Sequence, residues 1–117
     1  MREFPIGIIA DWLRLPFAES LAKCRELGAN GVQLYAVEGD MAPENQTAAS
    51  IAEKRAILQA NGLEVSALCG DLGGHGFAIA SENPWKIERS KRIVDLALAL
   101  DSKVVTKIGR ASCRERV

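Results

Sequence analysis

Four side chains that could contact a small molecule lie at or just past the ends of apolar segments of the chain. They are Trp12, Tyr35, Asp71 and His75. A neutral imidazole both donates and accepts a hydrogen bond, and an ionised carboxylate accepts two or more, which suits a ligand with many hydroxyl groups. Aromatic rings add a flat apolar surface with a polar edge. We therefore take these four residues as candidate substrate-binding residues.

Each candidate also has a purely structural interpretation. In that interpretation Trp12 and Tyr35 cover the rim of the fold, Asp71 caps a glycine-rich turn and His75 points to solvent. One His and one Asp are too few ligands for a metal ion, so these residues predict no metal site. The glycines around His75 match neither the dinucleotide-binding fingerprint nor a Walker loop, so no nucleotide site is predicted.

The candidates follow segments that are typical of strands buried on both faces of a parallel sheet. These predicted strands cover residues 4–10, 31–37 and 63–68, and a fourth begins at 104–106. A helix is predicted in each gap. Pro16 and Gly28 mark the first, Thr47 and Asn61-Gly62 the second, and Asn83-Pro84 and Leu100 the third. Their predicted inward residues are Phe17, Leu21, Cys24 and Leu27; Ile51, Ile57 and Leu58; and Ile87, Val94, Ala97 and Leu98.

The strand and helix repeat predicts an α/β fold made of parallel βαβ units. Two closures are compatible with it. One is a small flavodoxin-like sheet, and the other is an eight-unit TIM barrel of roughly 250 residues, of which this chain would be less than half.

The end of the chain bears on this choice. Residues 108–117 read IGRASCRERV, which resembles the translation of a common short-read sequencing adapter. We therefore interpret 107–117 as a non-native tail and 1–106 as the N-terminal part of a barrel truncated after about its fourth strand. The alternative is an Arg-rich arm that binds nucleic acid.

Composition and charge exclude several classes of protein. The 117 residues are 48% hydrophobic and 26% charged, which is ordinary for a globular protein. Outside the tail, 11 basic residues face 14 acidic ones, so no nucleic-acid partner is predicted. No segment has the length of a membrane span or the pattern of a signal peptide. Three cysteines without a CxxC pair favour a reducing, cytoplasmic location, and an oligomer is possible.

Three segments resemble a known family. They are ELGANGVQL, LEVSALCGDLGGHGF and ENPWKIERSKRIVDLALAL, and they are similar to the N-terminal half of the sugar phosphate isomerase/epimerase family, the xylose isomerase-like TIM barrels. The resemblance covers about residues 6–106. It departs from the family at Asp101-Ser102, which stands where the family usually has a glycine turn.

The resemblance implies a reaction and a cofactor. Such enzymes isomerise or epimerise a sugar, a sugar phosphate or a cyclitol by metal-assisted proton transfer next to a carbonyl. The family holds its divalent metal with Glu, Asp and His residues of later strands. The resemblance therefore implies no catalytic residue and no metal ligand in this fragment, which we expect to be inactive by itself.

Two other functions are weighed against this one. A receiver-like signalling domain of flavodoxin fold needs a pair of acidic residues after its first strand, whereas Asp11 is followed by Trp12. An abasic-site endonuclease of the endonuclease IV type attacks phosphodiesters with a cluster of metal ions. The acidic charge and the single His, His75, count against that repair enzyme.

The origin of the tail can be tested on DNA. If residues 108–117 are foreign, independent sequencing of the source locus should give a different reading frame after Thr106, and that frame encodes what we call the full-length parent. Genomic DNA that encodes IGRASCRERV in place would contradict this interpretation.

Overall fold

The computed structural model describes residues 4–72 and 77–107. These residues form four strands and three α-helices that alternate along the chain. The strands are β1 (Gly7–Ile9), β2 (Gly31–Tyr35), β3 (Glu64–Cys69) and β4 (Val105–Thr106). The helices are α1 (Phe17–Glu26), α2 (Ala48–Ala60) and α3 (Asn83–Ala99). The predicted element order is confirmed, although β1 and β2 are shorter than predicted.

The four described strands pair in parallel in the order β1-β2-β3-β4. A flavodoxin-like sheet would place β1 between β2 and β3, because its strand order is 2-1-3-4-5. Each strand here pairs with its neighbour in the chain, as in a TIM barrel. The sheet order therefore supports the barrel and excludes the flavodoxin-like closure, and with it the receiver-like alternative.

Local signals at the ends of α1 and α2 act as predicted. The Oγ1 atom of Thr47 accepts from the N–H of Ser50 at 3.0 Å, and the N–H of Thr47 donates to Oγ of Ser50 at 2.8 Å, so the two residues form a capping box. Gly28 and Gly62 follow the ends of α1 and α2 with φ of 88° and 63°. This left-handed conformation is one that glycine adopts without steric penalty.

The predicted cap at Asn83 is wrong. A 3₁₀ turn at Ala80–Glu82 runs directly into α3, so Asn83 already has helical φ and ψ of −61° and −39°. Its side chain donates instead from Nδ2 to the carbonyl of Phe77 at 3.1 Å. Asn83 thus holds the end of the loop before α3 rather than capping the helix.

The predicted inward face of α3 is also largely wrong. Of the four predicted residues only Ala97 is buried, whereas Leu98 is 69% exposed. The buried apolar residues of this helix and its C-cap are Ile93, Leu96, Ala97 and Leu100. Ile87, Val94 and Leu98 form a second apolar stripe about a third of a turn away. In α1, Leu27 is likewise exposed, because it lies beyond the last helical residue.

One hydrophobic core joins the three described helices to one face of the sheet. Leu21 and Cys24 of α1, Leu58 of α2 and Ile93 of α3 lie in the same buried cluster. The strands contribute Val32, Leu34, Val65 and Leu68 to it. No helix in the described part of the chain is long and apolar enough to cross a membrane.

The turn before β4, at Asp101, forms an ion pair with α2. Asp101 adopts a left-handed conformation with φ of 59°, in the place where the resemblance led us to expect glycine. Its carboxylate forms an ion pair with Arg55 of α2 at 3.1 Å, and Arg55 also donates to the carbonyl of Ala99. An Asp tolerates this conformation better than most residues, and here it also joins α2 to the end of α3.

We predict that the isolated 117-residue chain self-associates or stays molten. Among the described residues all three helices pack on one face of the sheet and leave the other face uncovered, and the second stripe of α3 exposes Ile87, Val94 and Leu98. Light scattering, binding of an apolar dye and thermal unfolding would test this expectation. Changing Val94 and Leu98 to Glu should reduce association without loss of helical signal. A sharp two-state transition from a monomer that binds no dye would contradict the prediction.

Candidate functional site

Alternation along β2 separates the residues that face the helices from those that face away. Val32 and Leu34 are buried in the core cluster. Because successive side chains of a strand point to opposite faces, Gln33 and Tyr35 lie on the other face, which we call the inner face. Register places nine described residues there: Gly7 and Ile9 of β1, Gly31, Gln33 and Tyr35 of β2, Glu64, Ala67 and Cys69 of β3, and Thr106 of β4. In a complete barrel this face is the interior.

A β-bulge in β3 determines which of its residues reach the inner face. The register with β2 shifts after Val32, so that Val65 pairs with Val32 but Ala67 pairs with Gln33. Ser66 is the extra residue, and its Oγ donates to the carbonyl of Val32 at 3.0 Å. As a result Leu68 lies opposite Leu34 on the helix side. The bulge therefore directs Cys69 to the inner face.

Three polar side chains form one row where the strands end. Tyr35 pairs with Cys69, and Cys69 pairs with Thr106. All three residues are half-buried. We call them the polar row, and the edge where they lie is the C-terminal edge at which TIM barrels build their active sites. A phenol, a thiol and a hydroxyl are thus presented side by side.

The sequence analysis predicted Tyr35 at this edge but not Cys69 or Thr106. The sequence pattern indicates no more than a free thiol at Cys69 and the end of the fourth strand at Thr106. Register was the missing information, since neighbouring parallel strands place residues of matching register on the same face. If side chains alternate strictly from the buried Leu63, Cys69 is assigned to the helix side of the sheet. That assignment is wrong, because the bulge adds Ser66 to the strand.

Trp12 forms a hydrogen bond with Tyr35, the first member of the polar row. It belongs to a 3₁₀ turn at Ala10–Leu13 that follows β1 directly. Its Nε1 donates to the hydroxyl oxygen of Tyr35 at 3.1 Å, although 70% of the residue is exposed. The structure therefore brings together two of the four predicted site residues. Because the indole donates to the phenol oxygen, the phenol proton remains available for another acceptor.

Asp11 holds the end of β2 in place. Its Oδ2 accepts from the backbone N–H of Tyr35 at 2.8 Å. Desolvation of the carboxyl raises the pKa of Asp11 above its usual value, and the N–H donors of Tyr35 and of Asp11 itself offset part of that rise. Asp11 is thus a positioning residue, since it acts on the inner-face side chain of Tyr35 through the backbone.

Asp71 lies just past the polar row, and His75 lies outside the described residues. Asp71 is half-buried and close enough to Lys107, the first residue of the interpreted tail, to interact with it electrostatically. Burial lowers the pKa of Lys107, and the negative charge of Asp71 opposes that change. The ammonium of Lys107 donates to the carbonyl of Gly70 at 2.6 Å and to Oγ of Ser90 at 2.9 Å. The structure neither supports nor opposes the substrate-contact role predicted for His75.

The donor set of the described residues does not fit a metal ion. Within residues 4–72 and 77–107 no group of three or more His, Cys, Asp and Glu side chains could hold one. Asp11 already accepts from a backbone N–H, and Asp71 interacts with an ammonium group. We therefore derive no chemical step through a metal for these residues.

The raised pKa of Asp11 predicts a dependence of stability on pH. Between the unfolded-state pKa and the higher folded-state pKa, the native state binds more protons, so stability falls as pH rises through this window. Asp11→Asn in the full-length parent keeps an acceptor for Tyr35 but cannot ionise, so the stability of wild type relative to this variant should fall from acid toward neutral pH. Thermal unfolding of both proteins between about pH 3.5 and 7 measures it.

Asp11→Ala is the matched comparison. It removes the acceptor as well as the charge and should be less stable than Asp11→Asn at every pH, by about 1 kcal/mol. A difference between wild type and Asp11→Asn that does not change with pH would contradict the prediction.

Comparison with solved structures finds proteins with a similar fold. Seventeen chains match. One is described as the probable 3-DHS dehydratase AsbF involved in petrobactin synthesis from Bacillus anthracis, with a TM-score of 0.67 and 15% sequence identity. The alignment covers 91% of this chain and 38% of that one, so the chain spans well under half of that enzyme. At this identity the likeness shows the fold alone.

Comparison of sequences identifies the family. No curated protein matches the chain. A family model described as xylose isomerase-like TIM barrel matches residues 21–116, which include most of α1 and all of β2, α2, β3, α3 and β4. With the parallel sheet in barrel order and the polar row at its C-terminal edge, this match shows that the chain belongs to the xylose isomerase-like TIM barrel family.

Proposed function

We propose that the full-length parent is an enzyme that isomerises or epimerises a sugar, a sugar phosphate or a cyclitol. The observation that supports this best is the polar row of Tyr35, Cys69 and Thr106, with the indole of Trp12 bonded to Tyr35, at the C-terminal edge of a xylose isomerase-like sheet. Hydroxyl groups bind hydroxyl-rich substrates through donors and acceptors, and aromatic rings pack against their C–H faces. We propose this row as one wall of the substrate pocket.

The hydrogen bond between Trp12 and Tyr35 supports a defined role for each residue. The indole N–H donates to the phenol oxygen at 3.1 Å, which leaves the phenol O–H to donate to a substrate oxygen. A donor polarised in this way forms a stronger hydrogen bond than an isolated phenol. We propose Tyr35 and Trp12 as substrate-binding residues, with Asp71 and His75 as further contacts from the loop after β3.

The reaction needs a base and an electrophile that the described residues do not supply. We propose that a divalent cation in the parent stabilises the enediolate that forms when the proton next to the carbonyl is removed. Its ligands would come from other parts of the parent. The contribution proposed for this chain is to bind and orient the substrate, and the fragment alone is therefore expected to be inactive.

A dehydratase is the second candidate. The similar solved structure is described as a 3-DHS dehydratase, and elimination of water can begin with the same removal of a proton next to a carbonyl. The products distinguish the two reactions, because an isomerase keeps all atoms of its substrate. An abasic-site endonuclease is less favoured, since the chain outside its tail has more acidic than basic residues.

We also propose that the full-length parent is cytoplasmic and binds a small molecule. Cys24 and Cys69 are free thiols, which agrees with a cytoplasmic enzyme, and the proposed partner is a small sugar or cyclitol rather than a nucleic acid or a membrane.

The proposed reaction is tested with the full-length parent in D₂O, supplied with a panel of sugars, sugar phosphates and cyclitols. Isomerisation should introduce deuterium next to the carbonyl, which NMR detects, and a chelator should abolish it. Tyr35→Phe should lower kcat/KM by an amount equivalent to about 1 to 2 kcal/mol, because one donor to the substrate is lost.

The variants also separate binding from structure. Trp12→Phe keeps the ring but loses the donor to Tyr35, so we expect a smaller loss than for Tyr35→Phe. His75→Ala should weaken turnover without loss of bound metal. Unchanged kcat/KM in all three variants would contradict the pocket assignment, and loss of water from the substrate would favour the dehydratase.

A further inference from the structure

Gln33 occupies an unusual position on the inner face. It lies two residues before Tyr35 on β2, so it faces the same way one layer deeper, at a depth of about 6.6 Å below the polar row. In register it sits between Ile9 of β1 and Ala67 of β3. Barrel interiors are usually filled at this level by bulky branched apolar side chains. An amide in this layer requires a polar partner.

The four strands do not provide that partner. Within residues 4–72 and 77–107, the side chain of Gln33 forms no hydrogen bond, although the residue is half-buried. The hydroxyl of the bulge residue Ser66 donates instead to the carbonyl of Val32. An amide carries two donor hydrogens and one acceptor oxygen, and burying them unpaired is costly.

The neighbour of this amide on β3 is small. The bulge at Ser66 puts Ala67, rather than Leu68, opposite Gln33. The space one layer below, at Gly31, is filled, because a methyl group there would approach the carbonyl oxygen of Glu64 to 3.0 Å and Cβ of Ser66 to 3.6 Å. Only the methyl group of Ala67 therefore stands beside Gln33 on β3, directly below Cys69, and we call this place the recess.

We propose that Gln33 is a specificity-determining residue that binds an oxygen of the substrate at the deep end of the pocket. This inference rests on the proposed function, because it places a hydroxyl-rich substrate against the inner face. The substrate then spans two layers, with one oxygen near Tyr35 and another near Gln33. An amide binds either a hydroxyl or a carbonyl oxygen. Gln33 therefore favours substrates that carry an oxygen on the carbon atom that lies next to it.

If Gln33 binds one substrate hydroxyl, the affinity that this hydroxyl contributes should depend on Gln33. In the wild-type full-length parent, a deoxy analogue that lacks the contacted hydroxyl should bind roughly 10- to 100-fold more weakly than the parent polyol. Gln33→Met keeps the length of the side chain but removes its hydrogen-bonding groups. In this variant the polyol and that one analogue should bind nearly equally, whereas the other deoxy analogues should keep their wild-type ratios.

Ser66→Ala is the matched control. It also removes a polar group from β3 next to the recess, but its hydroxyl serves the backbone of β2. We expect this variant to lose stability and to keep the wild-type ratio between polyol and deoxy analogue. Binding is measured at equilibrium by calorimetry with a panel of polyols and their deoxy forms, so the result does not depend on turnover.

The outcomes separate this inference from the proposed function. Isomerisation without coupling between Gln33 and any hydroxyl overturns the role of Gln33 alone. Coupling without isomerisation or epimerisation retains that role and overturns the proposed reaction. A Gln33→Met variant that loses only stability shows that the amide bonds to another strand of the barrel, and absence of polyol binding by wild type overturns both proposals.

Discussion

The register between β2 and β3 is the constraint on which the candidate site depends. Without the extra residue at Ser66, strict alternation would turn Leu68 toward the inner face and Cys69 toward the helices. Leu68 would leave a fully buried position, and the polar row would lose its middle member. One backbone irregularity therefore serves the hydrophobic core and the C-terminal edge together. Bulges next to active sites commonly redirect side chains in this way.

The sequence predicted the parts of the fold that follow from local chemistry. Element order, the capping box at Thr47 and the left-handed Gly62 depend on residues within a few positions of one another. The inward face of α3 could not be predicted in the same way, because this helix has two apolar stripes and only packing decides which one enters the core. Asn83 failed as a cap because a 3₁₀ turn extends the helical path before it. Cys69 and Thr106 required the register of three strands.

The end of β1 shows how a short strand can still support a site. The strand stops at Ile9, yet the carboxylate of Asp11 accepts the next N–H of β2, that of Tyr35, at 2.8 Å. A side chain thus replaces a backbone carbonyl and extends the hydrogen bonding between the two strands. The turn that carries Asp11 also carries Trp12, so one segment orients Tyr35 through both its backbone and its hydroxyl. The position of Tyr35 therefore depends on two hydrogen bonds from one turn, that of Asp11 to its backbone N–H and that of Trp12 to its hydroxyl.

The sequential strand order also bears on how the protein is made. Each strand pairs with the one translated just before it, across a single intervening helix. A ribosome releases these units one after another, and β2 can dock on β1 while α2 is still being synthesised. Loop closure between such neighbours carries a modest entropic penalty because the intervening segments are short. Until the next unit emerges, however, the newest strand presents an unpaired edge, so a pause in translation would leave that edge open to chaperones or to other nascent chains.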